Sequence, residues 1–287
     1  MSLREHSIYD CIVNNARNYS DEIALVSGDL RLTYGEVPLH VNSLARGLLN
    51  TGFEKGDRIG VLLNNCAEYA LLLAACTRIG LITVCLNPRT SADEMRKMLE
   101  QAKPKALIFQ KSYEQQADEL RELGIHRQLY CIDEASILSS SFDQLLDEDP
   151  SPLTESQPAV DDGWLIIPTA AVDGVPKGAL LSQRNLMASV DVHLHHFGRE
   201  AIKGHLVVLP IFHVMGLTSA WATFISGGKN VLLKQFDEKL AVNLIDSEDL
   251  TYFGSFPPVL ERVLDTAKES GSAVSYTHLT LPTSDLV

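Results

Sequence analysis

The segment Ile167-Pro-Thr-Ala-Ala-Val-Asp-Gly-Val-Pro-Lys-Gly178 sets Thr169, Gly174, Lys177 and Gly178 on a loop that follows the apolar run Trp164–Thr169, with a helix expected from about Gln183. A strand opening into such a loop lets backbone N–H groups and a lysine surround an anion at the strand's carboxyl end. A plain connecting turn accounts for the same residues. The pattern is not a Walker loop, because Gly228-Lys229 is followed by Asn230 and no other Gly-Lys-Ser or Gly-Lys-Thr occurs. Neither G-x-G-x-x-G nor G-x-S-x-G is present, which argues against a dinucleotide dehydrogenase and an α/β-hydrolase.

A second candidate is Leu209-Pro-Ile-Phe-His-Val-Met-Gly-Leu217, where a strand end carries Phe212 and His213 to the tip of a sheet, the usual ligand edge of α/β folds. A histidine satisfied within the core or a loop is the alternative. His193, His195 and His196 fall in an expected helix with no completing carboxylate or cysteine, so they read as a solvated polar face rather than a zinc site, and no metal site is expected. Phe253-Gly-Ser-Phe-Pro-Pro258 reads as a strand exit into a helix begun by Pro258.

These residues need elements to hold them. After an N-terminal helical stretch, strands expected at Arg58–Leu63, Leu81–Leu86, Ala106–Phe109 and Gln128–Ile132 alternate with helices at Ala67–Ile79, from Ser91 to about Gln101, and one ending near Gly124. Ser91 and Glu94 have the spacing of a capping box. The beat resumes with strands at Trp164–Thr169, His205–Pro210, Asn230–Leu233 and Thr251–Ser255. Helices are expected from Gln183, at Val214–Ser226, after Asp237 to about Asp246, and from Pro258 to about Glu269. Strands and helices in this rhythm imply parallel pairing, and the fold class is α/β.

The 287 residues carry 24 Lys plus Arg against 37 Asp plus Glu, a formal net charge of −13, which disfavours nucleic acid and anionic membrane surfaces as partners. From Gln128 to Pro176 there is no basic residue but ten acids and, before Pro176 itself, four prolines, so Ser139–Gly163 is expected to be an exposed connection. The five cysteines, several of them inside apolar runs, show no C-x-x-C and read as small buried hydrophobes. The N-terminus has no secretory signal, and the greasiest stretch, Ala67–Leu86, is broken by Arg78 and Gly80, so no transmembrane segment is expected. A cytoplasmic location fits best.

Several segments together resemble the N-terminal part of the adenylate-forming (AMP-binding) synthetases, the family of acyl-CoA synthetases, peptide-synthetase adenylation domains and luciferases. They are Leu32-Thr-Tyr-Gly-Glu36, Gly52 through Asn64, Leu86-Asn-Pro-Arg89, Pro176-Lys177-Gly178, Leu209-Pro-Ile-Phe-His213 with Gly216, and Thr251 through Pro258. The resemblance implies a partial adenylation domain with parallel-rich sheets flanked by helices. It implies a reaction in which a carboxylic acid attacks Mg2+-bound ATP to give an acyl-adenylate, and coenzyme A then takes the acyl group, as in fatty acid metabolism. On this likeness the phosphate-binding residues are Thr169, Ala170, Asp173, Gly174 and Lys177, and the acyl-pocket residues are Phe212, His213 and Gly216. The family's loop reads roughly Thr-Ser-Gly-Thr-Thr-Gly-x-Pro-Lys-Gly, whereas here Ala170, Ala171, Val172 and Asp173 follow Thr169. The loss of hydroxyls and the added carboxylate leave two readings: a ligase with a variant loop, or a non-catalytic acyl- or partner-binding pseudo-enzyme of the same fold.

Residues 274–287, beginning Val274-Ser-Tyr-Thr-His-Leu-Thr-Leu-Pro-Thr283, resemble a translated sequencing adapter and are expected to be a non-native tail on an authentic domain of residues 1–273. A genuine strand with alternating Tyr276, His278 and Thr280 is the alternative. The family's ribose-binding Asp, its hinge, and its C-terminal lid domain with the adenylation Lys are not found in the sequence, so no catalytic residue is assigned. The polypeptide alone is expected to be inactive and to aggregate through uncovered apolar surface.

Overall fold

In the computed structural model, which describes residues 3–122, 128–135, 139–169 and 177–270, two β-sheets are built by apolar runs whose successive side chains face opposite helical layers. The chain begins with α1 (Ile8–Asn18), then β1 (Ile23–Ser27), β2 (Leu30–Thr33) and α2 (Val37–Asn50). Alternation follows through β3 (Arg58–Leu62), α3 (Ala67–Ile79), β4 (Ile82–Cys85), α4 (Ala92–Ala102), β5 (Ala106–Phe109), α5 (Glu114–Glu122), β6 (Gln128–Cys131) and the short β7 (Ser140–Ser141). A hairpin of β8 (Gly163–Pro168) and β9 (Gly178–Ser182) leads to α6 (Gln183–Phe197), and β10 (Gly204–Val207), α7 (Val214–Ile225), β11 (Lys229–Leu232), α8 (Glu238–Ser247) and α9 (Pro257–Ser270) complete it.

One sheet has seven strands in the order β7-β6-β5-β3-β4-β8-β9, and the other has four in the order β10-β11-β1-β2. Within them only β9 and β2 run antiparallel to their neighbours. The pleat assigns the layers. On β5, Ala106 and Ile108 join the central core while Leu107 and Phe109 face α4 and α5; on β11, Leu232 points to the central core and Val231 to α8 and α9. α3 lies in the middle layer and is buried nearly all round, with Tyr69 and Leu72 at 0% exposure. A helix covered on every side needs apolar residues on every side, which is why Ala67–Leu86 reads as one greasy stretch. Arg78 within it is also buried. Its guanidinium donates to the carbonyls of Leu153 and Glu155 at 2.7 and 2.9 Å and lies over the Tyr9 ring.

The expected α/β class and most of its elements are present, with four differences. The N-terminal region is not wholly helical: Ser27 pairs with Leu30 across a two-residue turn with Gly28 at φ +59°, which makes a hairpin of β1 and β2. Thr251–Ser255 forms only an isolated bridge from Tyr252 to His205, since Gly254, Pro257 and Pro258 leave little ladder to extend. The Ser139–Gly163 connection is less a free surface loop than a strap. Phe142, Leu145 and Leu153 are buried, Gly47 of α2 lies so close that a Cβ would come 2.0 Å from the Leu145 carbonyl oxygen, and Asp149, Asp161 and Asp162 pair with Arg46, Arg184 and Lys55. Finally, His193 is not a solvated residue. It stacks against Phe197 and meets Tyr252 edge-on, and burial lowers its pKa to about 4, whereas His195 and His196 are exposed.

Candidate functional site

Parallel strands of both sheets end toward one crevice of about 320 Å3. Leu86 and Asn87 follow β4, Pro168 and Thr169 end β8, and Phe212 and His213 follow β10, so three strand ends of two sheets supply its walls. The helix after β4 closes one side with Glu94, Met95 and Met98, and Thr90 lies at its foot.

Each wall is fixed locally. The side-chain oxygen of Asn87 accepts from Arg89 N at 3.0 Å and its carbonyl accepts from the Thr90 hydroxyl at 2.8 Å, which shapes the Asn-Pro-Arg-Thr turn. The expected capping box is formed: Glu94 N donates to Ser91 Oγ at 3.3 Å, and Ser91 N donates to Glu94 Oε2 at 3.0 Å. That places a carboxylate in the cavity wall. Thr169 and Lys177 close the neck of the loop, because Thr169 N and Thr169 Oγ1 both donate to the Lys177 carbonyl, at 2.8 and 3.0 Å. Lys177 is exposed beside it. Ala170, Asp173 and Gly174, the other expected phosphate-binding positions, lie outside the described residues.

This loop is framed differently from the expected strand–loop–helix. The five residues of β9 come between it and α6 and pair antiparallel with β8, so Pro168 faces Gly178 and Gly163 faces Ser182. The capped start of α6 at Ser182 therefore stands at the opposite end of the hairpin, where it cannot contribute to an anion held by the loop. The hairpin arises because Gly178-Ala-Leu-Leu-Ser182 is short and aliphatic, and Gly178 admits the Ile166 methyl where a Cβ would come 2.4 Å away.

His213 and Phe212 come into the cavity together, Phe212 buried and His213 exposed. His213 is the N-cap of α7, with Nδ1 accepting from Met215 N at 3.4 Å. A ring that accepts at Nδ1 carries its proton at Nε2, so the free nitrogen is a donor. The start of α7 adds the positive end of a twelve-residue helix to the same wall. Gly216 does not line the cavity. It is buried against the loop, where a Cβ would sit 2.4 Å from Pro210 O and 2.6 Å from Leu209 O, so its part is to let α7 begin against the strand exit.

Sequence reasoning missed the cavity contribution of Thr90, Glu94, Met95 and Met98. The Ser91–Glu94 box following an apolar strand was the available signal, since it fixes where that helix starts. It also missed Asn65, 4% exposed, which lies between the end of β3 and α3. Its amide nitrogen donates to Val207 O and Leu209 O at 3.2 and 3.1 Å, and its oxygen accepts from Ile211 N at 2.9 Å.

With this arrangement of sheets and cavity, the comparisons with known proteins agree. The family profile described as AMP-binding enzyme matches residues 12–283, running past residue 273. The chain belongs to this family, and its fold is the N-terminal domain of the adenylate-forming synthetases. It is 29% identical over 254 residues to 4-coumarate–CoA ligase 3 of Arabidopsis thaliana, covering 84% of this chain and 44% of that protein. It is 26% identical over 254 residues to 2-succinylbenzoate–CoA ligase of Bacillus pumilus, covering 88% and 49%. Among solved structures, a candidate long-chain-fatty-acid CoA ligase of Rhodopseudomonas palustris superposes with a TM-score of 0.85 at 30% identity, over 92% of this chain and 67% of that one. The chain spans about half the length of the curated relatives it matches. No helix among the described residues is long and apolar enough to cross a membrane.

Proposed function

We propose that the protein containing this chain is an acid–thiol ligase, which activates a carboxylic acid with ATP as an acyl-adenylate and transfers the acyl group to coenzyme A. Family membership supports the class of reaction, and one observation carries the placement: Thr169, bonded to Lys177 at the loop neck, and the Phe212–His213 wall line a single cavity. In this reading the nucleotide phosphates lie toward Thr169 and Lys177, with Ala170, Asp173 and Gly174 in the loop between. The acyl group lies against Phe212 and the thioethers of Met95 and Met98. The Nε2–H of His213 and the start of α7 face the oxygen that gains negative charge as the carboxylate attacks phosphorus. Holding the two reactants in line and balancing phosphate charge provide the acceleration.

Magnesium fits this arrangement as an ion carried by ATP. Among the described residues no three histidine, cysteine or acidic side chains come together as a cage, and Glu94 is the carboxylate in the described cavity wall. A cation held mainly by phosphates with one carboxylate nearby suits the coordination preference of magnesium, and when bound it neutralises phosphate charge.

The aliphatic and thioether walls suit an acid with an apolar body, such as a fatty or aryl acid, and a cytoplasmic location fits reduced cysteines, four of them buried. Incubating the protein in its full reading frame with ATP, coenzyme A and a panel of such acids, with mass detection of acyl-CoA, tests the assignment. An acid-dependent thioester product supports it, and none with any acid counts against it.

The sequence Ala170-Ala-Val-Asp173 favours a second reading, a pseudo-enzyme that holds an acyl group or a partner without using ATP. Calorimetric titration separates the two, since the ligase binds ATP in the presence of magnesium and the pseudo-enzyme does not.

A further inference from the structure

We propose that Asn65 is a positioning residue that sets where His213 and Phe212 stand relative to Thr169 and Asn87. The cavity has walls from two sheets, so its shape depends on how one sheet's strand exits are held against the other's. Thr169 and Asn87 belong to the seven-stranded sheet, and Phe212 and His213 follow β10 of the four-stranded sheet. Asn65 stands three residues beyond the end of β3 of the first sheet and makes three hydrogen bonds to the Val207–Ile211 segment that ends and follows β10 of the second.

Those bonds use both N–H groups of the asparagine amide, each on a carbonyl, and one lone pair of its oxygen, on a buried N–H. Aspartate offers no donor and would face the Val207 and Leu209 carbonyls with a charge. Leucine would leave Ile211 N and Leu209 O without these partners, at a penalty typical of buried unsatisfied groups. The segment needs such an external anchor. The ladder of β10 ends at Val207, three residues short of the expected strand end, and Pro210 has no N–H to extend it.

Apart from the packing of Ile211 and Phe212 in the central core, the loop's other fastenings lie within its own part of the fold. His213 N donates to Pro210 O at 3.1 Å, and Gly216 rests on the Leu209 and Pro210 carbonyls. They keep the loop attached to α7 without fixing it against the opposite wall. Loss of the Asn65 amide therefore leaves each wall intact and shifts one relative to the other. A ligand touching both walls is affected through His213, while folding is affected far less.

The functional arm of the test rests on the acyl-adenylate reading of the cavity. Affinity for a non-hydrolysable acyl-adenylate analogue is measured in the full-length protein for Asn65→Ala, His213→Ala and the double variant. Asn65→Ala is expected to weaken binding about 10- to 100-fold, the scale of an ångström-sized misplacement. In the His213→Ala background the same change is expected to have less than about a twofold effect, as coupled residues are non-additive. Equal losses in both backgrounds overturn the proposal.

Hydrogen exchange gives a second arm that needs no ligand. The Ile211 amide should exchange at least about 10-fold faster in Asn65→Ala while the amides of α3 keep their protection. Unchanged exchange at Ile211 also overturns the proposal. If the unaltered protein fails to bind the analogue, the acyl-adenylate reading falls and this arm still decides the anchoring. Should Asn65→Ala not fold, Asn65→Leu replaces it in both arms, because it keeps the side-chain branching while removing both donors and the acceptor for Ile211 N.

Discussion

The backbone N–H and the hydroxyl of Thr169 both donate to the carbonyl oxygen of Lys177, at 2.8 and 3.0 Å, so the two ends of the Pro-Lys-Gly loop are joined at its neck. The loop thereby joins the two strands of a hairpin rather than leading into a helix, and on the proposed reading an anion would be held by the loop's own N–H groups and Lys177. Replacing Lys177 with Ala is expected to weaken ATP binding by about 10-fold or more, the weight of one charge-assisted hydrogen bond. Thr169→Val should alter the urea midpoint only slightly, because the backbone half of the neck remains. Calorimetric titration beside urea unfolding checks both outcomes.

On the proposed reading two acids, Glu94 and Asp173, bear on the same anion. Glu94→Gln retains the capping geometry, since glutamine serves at that position, and removes a negative charge from the cavity wall. It is expected to strengthen binding of magnesium-free ATP several-fold, as Coulomb repulsion in a partly enclosed site is relieved. Asp173→Thr, which restores a hydroxyl to the loop, is expected to strengthen ATP binding as well. Titrations with and without magnesium read both variants, and weaker or unchanged affinity in the magnesium-free series contradicts the placement of that carboxylate near the phosphates.

Gly216 offers a test in which two effects have opposite signs. Helix propensity alone makes Gly216→Ala stabilising by about 1 kcal/mol. Its Cβ would stand 2.4 Å from the Pro210 carbonyl oxygen, a backbone atom that cannot rotate away. The clash is expected to dominate, with a net destabilisation of about 1–3 kcal/mol in urea unfolding.

Acid should weaken the fold in two stages. Burial lowers the pKa of His205 to about 3 and that of His193 to about 4, both below the ordinary 6.5, so the unfolded chain binds more protons than the folded one below pH 6.5. Stability is therefore fully present above pH 6.5 and falls as pH drops, by at most about 1.4 kcal/mol per pH unit for each histidine. Below pH 4.5 a second loss begins. The Arg31 guanidinium, with Lys229, holds the Glu248 carboxyl down to about 2, and protonating it releases the clamp between β2, β11 and the end of α8. Urea midpoints from pH 7 to pH 4.5 should show a shallower slope in His205→Leu, by close to one proton; an unchanged slope speaks against the buried neutral imidazole.

Local signals made most of the fold legible. The Ala67–Ile79 helix and the Ala106–Phe109 strand have the expected bounds, and the Ser91 and Asp237 caps are formed as their spacing implies. What escaped depends on distant partners. β9 looks like a continuation of the loop until it is paired with β8, and the isolated Tyr252 bridge depends on His205. In the cavity, Phe212 and His213 stood out as candidates at a strand end, and only the family resemblance implied their pocket role. Asn65 was not, because the groups it holds lie more than 140 residues along the chain. Nothing in Asn64-Asn65-Cys66 distinguishes a bolt between two sheets from an ordinary polar turn.

Acid-dependent exchange of labelled pyrophosphate into ATP by the protein in its full reading frame reports acyl-adenylate formation directly, before any thiol takes part. The ligase reading predicts exchange that requires magnesium and a carboxylic acid with an apolar body, and that falls about 10-fold or more in Lys177→Ala. ATP binding without exchange for any acid, or exchange indifferent to Lys177, would contradict it.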